Sequence, residues 1–360
     1  MRLEARAQVT TADALRAAAG AALAVLLVAA LLIAAAGAPV GRAFGLLVTG
    51  AFGSVFALTE TLTRAIPLML TSLAAAVAFR ARLYNIGAEG QLYAGAVAAV
   101  AAATALGEAG AGWPPALQFA AMLAAAVAAG ALLLLVPAAL KLTWGVDEVV
   151  CTLLLNFIVL LGVGALLDGP MKDPTAMGWP QSVALPGELE LDKLVPQTRV
   201  HTGLLFALGA ALALWVLLKF TTLGFAIRAT GANARAAAFA GVPVARTTLW
   251  VALLSGGLAG LAGAIEVAGR TSYVTLDMSP GYGYAGIVVA MLAALHPLAA
   301  VVASIGVAGV LVGADSMSRG IGVPTYLADV VVAASLLAVL TAAMLTRYRL
   351  RRSHPRKASA

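Results

Sequence analysis

The sequence predicts an all-α, polytopic integral membrane protein with about ten transmembrane helices. Of its 360 residues 62% are hydrophobic and 11% charged, with a mean hydropathy of +0.98, a composition that excludes an ordinary water-soluble domain. Apolar runs approaching the ~20 residues needed to cross a bilayer recur along its whole length. Ala, Leu, Val and Gly supply most of the apolar surface, more than the 10 Phe and 5 Trp, and small residues let helix backbones pack closely. Cys151 is the single cysteine, which rules out an internal disulfide and a cysteine metal cluster.

Taken in order, residues 1–16 form a basic cytoplasmic segment, and Ala17–Gly37 is the first span. Gly41–Arg64 is more polar and reads as an outer-side segment. Spans two and three, Ala65–Phe79 and Leu92–Leu106, flank the stretch Asn85-Ile86-Gly87-Ala88-Glu89-Gly90-Gln91. Neither run is comfortably long by itself. The break therefore reads either as non-helical backbone inside the membrane, satisfied by protein or a water-filled cavity, or as a short inner turn. Gly87 and Gly90 are expected to allow a tight reversal there. Span four is Ala116–Leu140, and span five, Val149–Leu167, carries Asn156 in its middle. Residues 169–200, with Pro170, Pro174, Pro180, Pro186 and Pro196, form the long external loop. Span six is Thr202–Leu218. Span seven, Thr247–Ala268, presents Ser255, Gly256, Gly257, Gly260 and Gly263 as a small-residue face. After a break at Arg270–Gly283 come span eight (Tyr284–Leu295), span nine (Leu298–Gly313) and span ten (Tyr326–Leu345). They close a transmembrane domain at 17–346, before a basic cytoplasmic tail at 347–360.

On this assignment 16 of the 23 Lys and Arg lie inside, so both termini are expected in the cytoplasm. The same bias explains the net charge of +7 without a nucleic-acid partner. A faint internal repeat pairs Leu73–Val77 with Leu261–Ile265, and Tyr93-Ala94-Gly95 with Tyr284-Ala285-Gly286. Five spans separate the copies, so they would be inverted, a design in which broken helices meet near the midplane.

No catalytic set is visible. His201, His296 and His354 lie far apart, and no lysine follows a glycine, so the chain has neither a zinc pattern nor a phosphate loop of its own. Any ATP would be bound by a partner subunit, and no cofactor is expected in this chain. The inner loop 219–246 offers a turn at Thr230–Asn233, a short helix at Ala234–Ala240 and a stop at Gly241-Val242-Pro243. A short stiff helix held between such turns suits the transmission of motion. Glu89, Glu266 and Asp329 are intramembrane ionisable groups, with Asn156 as a polar companion. Tyr282 and Tyr284 offer rings, for stacking or for interfacial anchoring.

The Asn85–Gln91 stretch, the loop GFAIRATGANARAAAFAGVPVAR, the run Ser255–Gly269 and the run Gly281–Leu292 together resemble the permease subunits of bacterial ABC importers. The resemblance is to the branched-chain amino acid and simple-sugar permease superfamily, and closest to its nucleoside-uptake branch. It implies a multi-pass protein of the bacterial cytoplasmic (inner) membrane, partnered by an ABC ATPase, a second permease, usually a paralogue although a homodimer is also open, and an external substrate-binding protein. It further implies a coupling segment carrying Gly224, Arg228, Gly231, Asn233, Arg235, Ala237 and Gly241. The substrate path would hold Asn85, Glu89, Gln91, Asn156, Glu266 and Tyr282, for a nucleoside or a simple sugar. Two other readings of the residues stay open: a proton-coupled secondary transporter using Glu89, Glu266 or Asp329, and a passive channel or membrane scaffold.

Overall fold

The computed structural model describes residues 2–5, 11–108, 112–322 and 348–351, with isolated positions between 330 and 341. Asp329 and most of predicted span ten lie outside the described residues. Among the described residues the regular secondary structure is helical except for two short paired strands, β1 (Arg2–Ala5) and β2 (Tyr348–Arg351). That pairing brings Arg2–Ala5 and Tyr348–Arg351 together.

Two compact units are present. The first contains β1, α1 (Thr11–Ala35), α2 (Val40–Phe52), the C-terminal half of α12 (Pro297–Ile321), and β2. Ala29, Ile33, Ala43, Ala314 and Met317 form its core, and α2 crosses α12 closely enough that a β-carbon at Gly313 would sit 2.2 Å from the Leu47 carbonyl oxygen. The outer-side segment expected at Gly41–Arg64 is therefore helical, as α2 and the first part of α3. Asp315–Arg319, beyond the end of predicted span nine, belongs to α12.

The second unit contains α3 (Val55–Arg80), α4 (Ala88–Glu108), α5 (Pro115–Trp144), α6 (Glu148–Asp168) and α7 (Gly203–Phe220). It continues through α8 (Thr222–Ala232), α9 (Ala234–Phe239), α10 (Val244–Glu266), a π-helical turn at Val267–Thr271, α11 (Tyr282–Leu292) and the start of α12. Among the described residues seven helices are long and apolar enough to cross a membrane: α3 to α7, α10 with its π turn, and α12. Of these, α3 and α10 are the central pair, 83% and 78% buried over their most apolar stretches. Threonine hydroxyls in α3 are satisfied within the helix by bonding back one turn: Thr63 donates to the Thr59 carbonyl at 2.8 Å and Thr71 to that of Pro67 at 2.9 Å.

The small-residue face of α10 behaves as its sequence suggests. A β-carbon at Gly260 would fall 2.2 Å from the Ala126 carbonyl oxygen of α5, and one at Gly263 would fall 1.9 Å from that of Leu92 on α4. Only glycine permits α10 to lie between the two.

One end of this unit gathers the C-termini of α3 and α5 and the N-terminus of α6. Lys141 donates to the Arg82 carbonyl at 3.2 Å and pairs with Glu148, which also accepts the Tyr84 N–H at 3.2 Å. The opposite end is covered by residues 169–200. There Ser182 donates to Val274, Leu185 to Ser272 and Leu191 to Ala268, backbone to backbone, which ties that loop to the end of α10.

Candidate functional site

The break between α3 and α4 is not an extension of either helix into the other. The reversal occurs at Arg82, in the left-handed region with φ 56, directly after α3. Gly87 and Gly90, expected to make the reversal, have no positive φ. They are needed for space: a β-carbon at Gly90 would lie 2.8 Å from Asn156 Oδ1, and one at Gly87 3.0 Å from Gln91 Nε2.

From Arg82 the chain folds back among the helices. Asn85 is fully buried and exchanges two hydrogen bonds with Gln91, Nδ2 to Oε1 and Nε2 to Oδ1, each 2.9 Å. It also donates to Ser255 Oγ at 3.0 Å, and Ser255 donates to the Ala74 carbonyl at 2.8 Å. These partners lie about two turns inside α3 and about three turns inside α10. Asn156, about two turns into α6, accepts from Gly90 N at 2.8 Å and donates to the Ile86 carbonyl at 2.9 Å and to Tyr284 Oη at 3.0 Å. So α4 begins well inside the unit, although with 21 residues it is itself long enough to span. The N–H groups of Tyr84, Asn85, Ile86 and Gly87 in this non-helical stretch each find an acceptor within the protein.

A second break mirrors the first. Beyond α10 and its π turn the chain re-enters from the opposite end and starts α11, whose 11 residues extend only about 16 Å. The starts of α4 and α11 meet head to head: Gly283 N donates to Glu89 Oε2 at 2.6 Å. Gly95 of α4 packs on Gly260 of α10, and Gly286 of α11 packs on Thr71 of α3. Each short helix thus rests on the long helix of the other half. The two glycines matched in the faint repeat thus each face a long helix belonging to the other copy.

Glu266 and Tyr282 belong to a separate buried cluster. Glu266 is 1% exposed and pairs with Arg270, while Glu60 lies 3.7 Å from both Arg64 and Arg199. Tyr282 is within electrostatic reach of Glu266, Arg270, Arg64 and Glu60. Among the described residues, Glu60 Oε2, Glu266 Oε2, Thr271 Oγ1 and Tyr282 Oη are buried without a hydrogen-bond partner. Of the six residues expected to share a path, Asn85, Glu89, Gln91 and Asn156 have polar partners around the two breaks, and Glu266 and Tyr282 each keep a buried oxygen without one among the described residues. Sequence reading missed Glu60, Arg64 and Arg270, whose i, i+4 charge pairs were the available signal.

The loop 219–246 is more helical than expected. Thr230–Ala232 ends α8 and is not a turn; a single residue, Asn233, makes the break. Its side chain accepts from the N–H groups of Arg235 and Ala236, both at 3.1 Å, and so caps α9. Gly224, Gly231 and Ala237 face inward. A β-carbon at Gly231 would lie 1.7 Å from the Arg80 carbonyl oxygen, which fixes α8 against the end of α3. Arg228, Asn233, Arg235 and Gly241 are exposed, and Gly241 turns the chain with φ +84. Phe239, not singled out from the sequence, is 97% exposed on α9. Among the described residues no cluster of His, Cys, Asp and Glu could hold a metal.

Residues 57–340 match the family model described as branched-chain amino acid transport system, permease component. The chain is 35% identical over 317 residues to the glucose ABC transporter permease protein TsgB13 of Haloferax volcanii, spanning 85% of this chain and 82% of that one. It is 34% identical over 312 residues to the guanosine ABC transporter permease protein NupP of Bacillus subtilis, 86% of this chain and 88% of the relative. A second Bacillus subtilis protein, the guanosine ABC transporter permease NupQ, is 28% identical over 251 residues, 68% and 77% of the two chains.

Proposed function

Because this chain belongs to the branched-chain amino acid transport system permease family, and is a permease subunit of an ABC importer, we propose that it carries a nucleoside across the membrane. The observation that carries the substrate reading is the set of buried, unpartnered oxygens on Glu60, Glu266 and Tyr282 beside the meeting point of the two broken helices. Two carboxylate acceptors and a phenolic hydroxyl suit the vicinal hydroxyls of a ribose, and the apolar helix walls suit an uncharged base. A simple sugar shares the hydroxyl chemistry but not the flat apolar part.

The face bearing α8, α9 and most of the basic loop residues is cytoplasmic in this reading. An ATPase subunit docks on it, with Phe239 and Arg235 as exposed contacts and α8 relaying motion to the end of α3. The ATP is bound by that subunit. The 169–200 face receives the external binding protein. A second permease completes the pair, a reading supported by the similarity to both NupP and NupQ of one organism.

The test is uptake into proteoliposomes by the assembled complex, with radiolabelled guanosine and glucose compared. ATP-dependent guanosine uptake is expected, lost when the ATPase is inactivated. Uptake of guanosine by the purified chain alone, driven by an imposed proton gradient, overturns the proposal in favour of a secondary transporter.

A further inference from the structure

On the α8 face, a cavity of about 260 Å³ opens between the end of α3, the end of α7, α8 and the start of α12. Arg80, Lys219, Arg228 and His296 line it, with Trp215, Leu218 and Pro297 as its apolar wall. Arg80 is half-buried and held in place by a bond from Nε to the Leu295 carbonyl at 3.0 Å, within electrostatic reach of Arg228. Among the described residues no carboxylate pairs with Arg80, Lys219 or Arg228. His296 Nδ1 accepts the Ala299 N–H at 3.4 Å, which leaves Nε2 as the ring nitrogen available to a ligand. Lys219 Nζ stands 5.1 Å from the Trp215 ring centroid, which keeps the ammonium at the rim.

We propose that this pocket binds the phosphate of an anionic phospholipid. Like charges gathered without a counter-ion repel one another, and a bound phosphate removes that cost. The walls select an amphiphile. Outside the pocket the apolar surface continues along exposed Leu212 and Val216 of α7 and exposed Leu298 and Val302 of α12, where acyl chains can lie. A carboxylate on a partner protein would satisfy the cations but leave those apolar faces without a use. Basic pockets between helix ends are a known form of headgroup recognition. The site joins α3, α8 and α12 at one point, so an occupied pocket would brace α8 against the bundle.

The experiment is native mass spectrometry of the detergent-purified chain titrated with dioleoyl-phosphatidylglycerol, dioleoyl-phosphatidylcholine or inorganic phosphate. Lys219 and Arg228 are both exposed, so the double substitution Lys219→Gln, Arg228→Gln leaves the packed interior intact. Losing two charges is expected to weaken phosphatidylglycerol binding about thirtyfold, with phosphatidylcholine binding unchanged. Arg246→Gln, on the same face but outside the pocket, is expected to bind as the unaltered chain does. Equal phosphatidylglycerol affinity with and without the two charges overturns the proposal. So does inorganic phosphate that binds as tightly as the lipid, which assigns the pocket to a soluble anion, or bound lipid that is displaced when the ATPase subunit is added, which assigns it to the protein partner.

Discussion

The carboxylate of Glu89 accepts the N–H of Gly283 at 2.6 Å, joining the first turn of α4 to the first turn of α11. It is an acidic group at the start of two helices at once, where both dipoles favour negative charge. Replacement by Ala leaves the Gly283 N–H buried and unmatched, whereas Gln keeps an acceptor. Glu89→Ala is expected to lower uptake by about tenfold or more while the protein still assembles, and Glu89→Gln to retain most of it. Uptake measured at matched membrane expression decides the matter. Full activity in the Ala variant would show that the junction is not required.

The same junction depends on close packing. A β-carbon at Gly260 of α10 would sit 2.2 Å from a backbone oxygen of α5, which cannot move as a flexible side chain would. Gly260→Ala is expected to destabilise by about 1–3 kcal/mol, read as a lowered melting temperature in detergent. Gly162→Ala on α6 is the control, because nothing lies within 4 Å of its added carbon. Alanine favours helix, so that change is expected to be neutral or slightly stabilising.

Much of this was legible from residue patterns. Glycines mark helix crossings by their type alone, and Gly95 and Gly286 sit at corresponding points of two halves that share only a few letters. The apolar runs located the spans but not their ends. Two devices hid those ends: α3 stays helical through Thr59, Glu60 and Thr63, and α12 continues through Asp315 and Arg319, because protein packing overrides local polarity. The polar residues of the first break announced that something was buried there. They did not announce that Asn85, Gln91 and Asn156 would satisfy one another, since that depends on partners on α6 and α10. Arg82 gave no sign of a left-handed turn, because glycine is the residue that adopts positive φ freely and Gly87 and Gly90 stood close by. Phe239 was invisible for the opposite reason: one aromatic in an Ala-rich segment reads as core until the helix is oriented.

Exposed Phe239 and Arg235 on α9 make the coupling reading testable without disturbing the fold. An aromatic that is 97% exposed contributes nothing to the core, so its removal acts only on what covers it. Phe239→Ala is expected to weaken ATPase binding by roughly tenfold to thirtyfold, the range of an anchoring residue at an interface. Arg235→Glu is expected to separate ATP hydrolysis from uptake. Pull-down of the ATPase and coupled uptake assays report the two effects separately, and unchanged values in both would remove α9 from the interface.

At the opposite end, His201 gives a pH signature that belongs to the fold itself. It is fully buried at the start of α7, packed on Gly269, and its Nδ1 accepts the Gly203 N–H at 3.2 Å. Burial, with Lys193 nearby, holds its pKa down at about 4, against 6.5 ordinarily. Between those two values the unfolded chain binds a proton that the folded chain refuses. Stability from this group is therefore complete above pH ~6.5 and falls as pH drops toward 4, by up to roughly tenfold in the unfolding equilibrium per pH unit. Thermal melts followed by tryptophan fluorescence between pH 7.5 and 4.5 measure it. His201→Asn keeps an acceptor for Gly203 but cannot take up a proton, so the variant is expected to lose less stability over that interval than the unaltered chain. Parallel pH profiles for the two proteins would mean that His201 is already charged, or already wet, in the folded state.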